Sequence, residues 1–214
     1  MKINLEILES AYIYAPKEIE DLHTKELVPK MIIRRRLTRA AKIAIYLADK
    51  VSFGQGRIIY GSSFGELAVT AKILHAIDAK ESISPTHFQN SVYNTAVSYL
   101  SMLNNNTNEI MTIASGDNTS SNILNAGAIK AMDGDTLLLM ATETLNIEKI
   151  EEVNDCIDFL ECGVALKVKI TEKEATIDTS TIYHNEATPA SLFHMLNVAK
   201  SMHSNKANII EVTL

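Results

Sequence analysis

Cysteine is scarce: Cys156 and Cys162 are the two in a chain of 214 residues. Two thiols supply neither a disulfide framework nor a zinc-ligand pattern, so a reducing cytoplasm is the expected compartment. Long apolar runs are missing as well. None reaches the roughly 18 residues that a membrane-spanning helix needs, and the opening Met1-Lys2-Ile3-Asn4-Leu5-Glu6 lacks the apolar stretch of a signal peptide. Basic residues are outnumbered, 20 Lys and Arg against 26 Asp and Glu, leaving a formal charge of −6. That balance argues against nucleic acid as a partner. No short-period repeat is present. What is abundant is apolar surface, at 46% of residues, which excludes wholesale disorder and fits one sizeable domain.

Periodicity organises the chain into alternating elements. Tyr12, Ile13 and Tyr14 predict a short strand before Pro16. Over 31–50, Ile32, Ile33, Leu37, Ala40, Ala41, Ala44 and Leu47 recur at helical spacing after Pro29. Arg57-Ile58-Ile59-Tyr60 reads as a buried strand running into the turn Gly61-Ser62-Ser63, with a helix over 65–77. Pro85 precedes a helix over 86–103, and the Asn-rich run 104–108 is a loop. A strand over 109–114, a helix over 118–132 ended by Gly134, and a fully buried strand over 136–141 follow. An acidic connection spans 146–158. Val164, Leu166, Val168 and Ile170 then alternate with Ala165, Lys167, Lys169 and Thr171, which predicts a half-exposed strand. A hairpin return over 175–182, a helix over 189–203 and a last strand over 208–212 complete the reading. The alternation predicts an α/β core.

Within this frame, Ile83-Ser84-Pro85-x-x-Phe88-x-x-Ser91-Val92-x-Asn94 resembles the helix entry of the β-ketoacyl synthase N-terminal region. Arg34-Arg35-Arg36-Leu37-x-Arg39 resembles the early basic helix of that family, and Tyr60-Gly61-Ser62-Ser63-x-Gly65-Glu66 its first core strand and turn. Gly134-Asp135-Thr136-Leu137-Leu138-Leu139 is similar to the strand after the nucleophile helix, one inserted residue allowed. The likeness spans about 30–145. It implies a single domain over 1–214 with the N-terminal half of a thiolase-like α-β-α fold, extended over 146–214 by a hairpin, a helix and a strand. Short chain-length-factor-like proteins of fatty-acid, aryl polyene or polyketide biosynthesis are the variety it resembles most.

Laid on the family from Pro85, the chain places Asp117 where a ketosynthase carries its nucleophilic cysteine, in the turn Ala114-Ser115-Gly116-Asp117-Asn118-Thr119-Ser120. A ketosynthase needs a thiolate at a helix N-terminus. It also needs two histidines from its C-terminal half, and His184, His194 and His203 match no family motif. The expectation is a non-catalytic partner of a complete ketosynthase or an acyl carrier protein, homodimeric or heterodimeric, with no cofactor and no metal. In the resembled family the strand before the nucleophile pairs across a two-fold axis, which makes Ile110, Met111, Thr112 and Ile113 the dimer-strand candidates. Arg34, Arg35, Arg36 and Arg39 are the carrier-docking candidates, against the plainer reading of a solvated helix face with internal acidic partners.

Two alternatives stay open. The first is an acyl-transfer or hydrolytic enzyme using Ser115, Ser120 or Asp117, which would need a paired base. The second is an acyl-chain or small-molecule binding module. Asp117 reads equally as a helix cap. His75 and His87 read as helix-end residues, and Cys156 and Cys162 as inert thiols. Met31, Met102, Met111, Met132, Met140, Met195 and Met202 read as core filling, some of them candidates to line an acyl groove.

Overall fold

The computed structural model describes residues 1–147, 160–177, 189–205 and 207–214. Cys156, His184, most of the 146–158 connection and the end of the 175–182 return lie outside the described residues. The described strands form one six-stranded sheet in the order β3-β2-β4-β5-β1-β6. Its members are β1 (Lys2–Ala15), β2 (Arg57–Gly61), β3 (Ile110–Ile113), β4 (Leu137–Leu145), β5 (Leu160–Thr171) and β6 (Ile209–Thr213). β2 runs parallel to both β3 and β4, while β4–β5, β5–β1 and β1–β6 are antiparallel.

Helices cover both faces. α3 (Arg39–Lys50) and α6 (Thr95–Asn104) pack on one face, over Ile58, Tyr60, Leu138, Met140 and Ala165. α7 (Thr119–Ala131) and α8 (Phe193–Asn205) pack on the other, over Ile59, Leu139, Ala141, Val164 and Leu166. Every residue of β4 is buried, as expected for a central strand covered on both sides. Gly127 of α7 lies so close to this strand that a Cβ there would meet Leu139 at 2.8 Å.

Several predicted boundaries change. The helix predicted over 31–50 is two: α2 (Met31–Arg34) and α3, which restarts at Thr38. Thr38 is extended, and its hydroxyl accepts from the Ala41 amide at 3.1 Å, an N-cap that resets the helix. The helix predicted over 86–103 is also two, α5 (Pro85–Asn90) and α6. Between them the Ser91 hydroxyl bonds the Phe88 carbonyl, and Asn90 turns inward to the Arg36 carbonyl. The strand predicted around 12–14 runs from Lys2, because Ile3, Leu5 and Ile7 alternate into the core. β5 is buried from Leu160 to Leu166 and half-exposed beyond. Both of its edges are occupied, by β4 and by β1. The described part of the predicted return, 175–177, does not pair on it: Ile177 bridges Ile210 of β6 in parallel instead. Among the described residues no helix is long and apolar enough to cross a membrane.

Candidate functional site

Parallel strands present their carboxyl ends as the usual place for chemistry. Here those ends are Gly61 of β2, Ile113 of β3 and Ala141 in β4. Gly61 fits against the first turn of α7 so closely that a Cβ would meet Ile123 at 2.6 Å and Thr119 at 2.7 Å. That contact sets the Ser62–Gly65 turn beside the turn 114–120. The latter continues from β3 through a short 3-10 helix, Gly116–Asn118, into α7. Gly116 takes φ +55°, where glycine avoids the strain of a side chain.

Thr119 holds this turn. Its buried hydroxyl donates to the Gly116 carbonyl at 2.7 Å and accepts from the Ser115 amide at 3.1 Å. Asp117 is exposed, and the position capping α7 is Asn118. The Asp117 carboxylate accepts no hydrogen bond among the described residues, so the capping reading is not supported. Replacing Asp117 with alanine is expected to leave Tm within about 2 °C by calorimetry, as for other exposed positions.

The alternative nucleophiles are equally unassisted. Ser120 is fully buried, and its hydroxyl accepts from the His194 backbone amide at 3.2 Å. The His194 ring turns edge-on to Phe193, centroids 5.3 Å apart. Burial lowers its pKa. No carboxylate or imidazole bonds the side chains of Ser115, Asp117 or Ser120 among the described residues.

A carboxylate that sequence reasoning passed over dominates this end of the sheet. Glu143 of β4 is fully buried and collects four donors. They are the Ser63 amide at 2.6 Å, the Ser62 and Ser191 hydroxyls at 2.8 Å, and the Phe64 amide at 3.3 Å. Burial raises its pKa, and the four donors oppose that. Its signal was available: a charged residue inside the apolar run Leu137-Leu138-Leu139-Met140-Ala141-Thr142-Glu143-Thr144-Leu145 needs partners. Ser191 brings the C-terminal part of the chain to the Ser62 turn. Opposite Glu143 in the ladder stands Cys162, whose thiol burial pushes up to about 12, an inert group.

The basic candidates divide. Arg39 is committed internally: its guanidinium forks onto the fully buried Glu161, with Nε to Oε1 at 2.6 Å, and also donates to the Ile19 carbonyl. Arg34 donates to the carbonyls of Val28 and Pro29. Arg35 and Arg36 are exposed. Ile110, Met111, Thr112 and Ile113 form the edge strand β3, half-buried, with β2 on one side. Of the methionines, Met140 and Met195 are fully buried, whereas Met31, Met102 and Met132 are exposed, which corrects their reading as core. Met102 lines a groove of about 520 Å³ with Val28, Ile33, Ile45, Phe53 and Leu100. Phe53 precedes β2 and Asn104 precedes β3, so the groove lies at the amino ends of these strands, away from the turn 114–120.

With this geometry in place, comparison with known proteins gives one family. The family described as "Beta-ketoacyl synthase, N-terminal domain" matches residues 10–214. No curated protein matches the chain. Among solved structures, one described as "Ketosynthase (ApeO) in Complex with its Chain Length Factor (ApeC) from Xenorhabdus doucetiae" superposes with a TM-score of 0.67 at 20% identity. That match covers 91% of this chain and 92% of the matched one. "The ishigamide ketosynthase/chain length factor" gives 0.65 at 10% identity, covering 80% of this chain and 63% of the other. A β-ketoacyl synthase from Burkholderia phymatum STM815 gives 0.58 at 12% identity, covering 79% and 60%. The chain thus spans nearly all of the first match and under two thirds of the other two. At these identities the superpositions show the fold, which is that of thiolase-like ketosynthases.

Proposed function

The chain belongs to the β-ketoacyl synthase N-terminal domain family, and from that premise we propose that it is a ketosynthase-like subunit without condensing activity. It works as the partner of a complete ketosynthase, in the manner of a chain-length factor. The observation that carries this reading is the turn 114–120. The position aligned with the family's nucleophile holds Asp117, which is exposed, and among the described residues neither its carboxylate nor the side chains of Ser115 and Ser120 meet a base. A carboxylate is a poor nucleophile toward a thioester, and its acyl product would be an anhydride.

The edge strand β3 supports the partnership. Its outer ladder groups are free for another strand among the described residues. In this reading Ile110–Ile113 pairs with the equivalent strand of the ketosynthase, and Arg35 and Arg36 are the basic residues left to meet an acidic carrier protein. The groove at the far end of the sheet has no part in it.

The experiment is co-expression with a complete ketosynthase from the same host, followed by size-exclusion chromatography and intact mass after incubation with acyl carrier protein thioesters. The expected result is a heterodimer with no acyl adduct on this chain. Thr112→Pro removes a ladder donor at the middle of β3 and is expected to weaken the heterodimer at least tenfold. A covalent acyl adduct abolished by changing Ser115, Ser120 or Asp117 would replace this reading with acyl transfer.

A further inference from the structure

Helix α4 (Leu67–Asp78) sits on the body without burying a single residue. Together with α5 it forms a helical hairpin whose Leu74, Ile77, Ile83 and Phe88 are 40–69% exposed. Apolar burial therefore does little to hold this hairpin, and its polar fastenings matter correspondingly more. At the far end, Asn90 is buried, donates to the Arg36 carbonyl at 3.3 Å and accepts from the Tyr99 hydroxyl at 3.1 Å. The Tyr93 hydroxyl reaches the Ser63 carbonyl at 3.3 Å.

At the near end the fastening is Glu66, the residue immediately before α4. It is 5% exposed, and the Thr38 hydroxyl donates to its carboxyl at 2.6 Å. Thr38 is itself fixed as the cap of α3. The other groups near Glu66 offer no positive charge. From β2 comes Tyr60, whose hydroxyl is shared with Thr142 at 2.6 Å. Tyr60 also feels Glu143 of β4, itself acidic and engaged by its own four donors. Arg39, next to Thr38, is spent on Glu161. No cation pairs with Glu66 among the described residues. A buried carboxylate in such surroundings is unfavourable: burial raises the Glu66 carboxyl to about 7, against the bond donated by Thr38, which favours the carboxylate and only partly offsets the burial.

We propose that Glu66 is a proton-operated clasp: protonated, it fastens the α4–α5 hairpin to the head of α3, and on ionisation it releases the hairpin to solvent. The inference stands on the attachment of α4 and does not depend on the partner reading above. The sign follows from linkage. The group titrates near its ordinary value of 4.5 when the hairpin is open and about 7 when it is closed. The closed form thus holds the proton more tightly, and opening is promoted as pH rises between those values. The opening constant climbs by up to about tenfold per pH unit over that interval and levels off above it.

Hydrogen exchange of the whole chain, corrected for intrinsic chemical rates, tests this between pH 5 and 8. Protection of amides 67–90 is expected to fall at least tenfold while β4 and β5 stay protected. In Glu66→Gln the same amides are expected to show no pH dependence. Equal slopes in wild type and variant would overturn the proposal. So would a loss of protection spread evenly over hairpin and sheet, which the wild type alone suffices to reveal.

Discussion

Replacing Arg39 with alanine is expected to lower Tm by roughly 6–12 °C, while Arg35→Ala and Arg36→Ala leave it unchanged. Glu161 has no exposed surface, and its two oxygens face the Arg39 fork, the Ile19 amide at 2.9 Å and the Asn146 side chain. Removing the guanidinium leaves a buried carboxylate with neutral donors alone. Breaking such a pair costs about 3–5 kcal/mol, here nearer 3 because the Arg39 side chain is 21% exposed. For a chain of this length each kcal/mol is about 2–4 °C. Calorimetry of the three variants checks the division. An unchanged Tm in Arg39→Ala would remove the internal role assigned to it. The contrast also separates docking from folding, since a carrier protein that contacts the turn between α2 and α3 would meet Arg35 and Arg36.

Glu143→Ala should be at least as damaging. It would strand the buried Ser62 and Ser191 hydroxyls and the half-buried Ser63 and Phe64 amides. Each orphaned donor costs about 1–3 kcal/mol. Partial relaxation and access of water bring the expected loss to about 4 kcal/mol, measured by urea denaturation. Loosening should concentrate in two places, the Ser62–Gly65 turn and the short helix Ala190–Leu192 that Ser191 ties to β4. Glu143→Gln is expected to fall between wild type and alanine. It keeps the shape, but its amide nitrogen can donate and cannot accept. A loss under 1 kcal/mol in Glu143→Ala would mean that the four donors find other partners.

Legibility in this sequence followed the range of the interaction. Strand β4 announced itself through four consecutive apolar residues, Leu137 to Met140, because a strand covered on both faces has no polar side to alternate with. Gly134, at φ +87°, ended its helix as its residue type suggests. Thr38 hid inside a helical apolar rhythm, although a threonine cap is a local signal. Its reading depended on the backbone turning extended at that point. The start of the predicted hairpin return, at Ile177, went to β6 for a non-local reason: alternation cannot say which strands already occupy an edge.

The site divides in the same way. From the amino-acid order alone came the α/β class, the family resemblance and the absence of a cysteine at Asp117, since residue identity and short-range period are written along the chain. The tertiary structure decided that Asp117 is exposed while Asn118 takes the capping position of α7, that Arg39 serves Glu161 across 122 positions, and that Glu143 gathers the Ser62 turn and Ser191. Those assignments rest on which groups share a low-dielectric interior, where an unpaired charge or donor is costly. Burial of that kind exists once the sheet and its covering helices have closed over it.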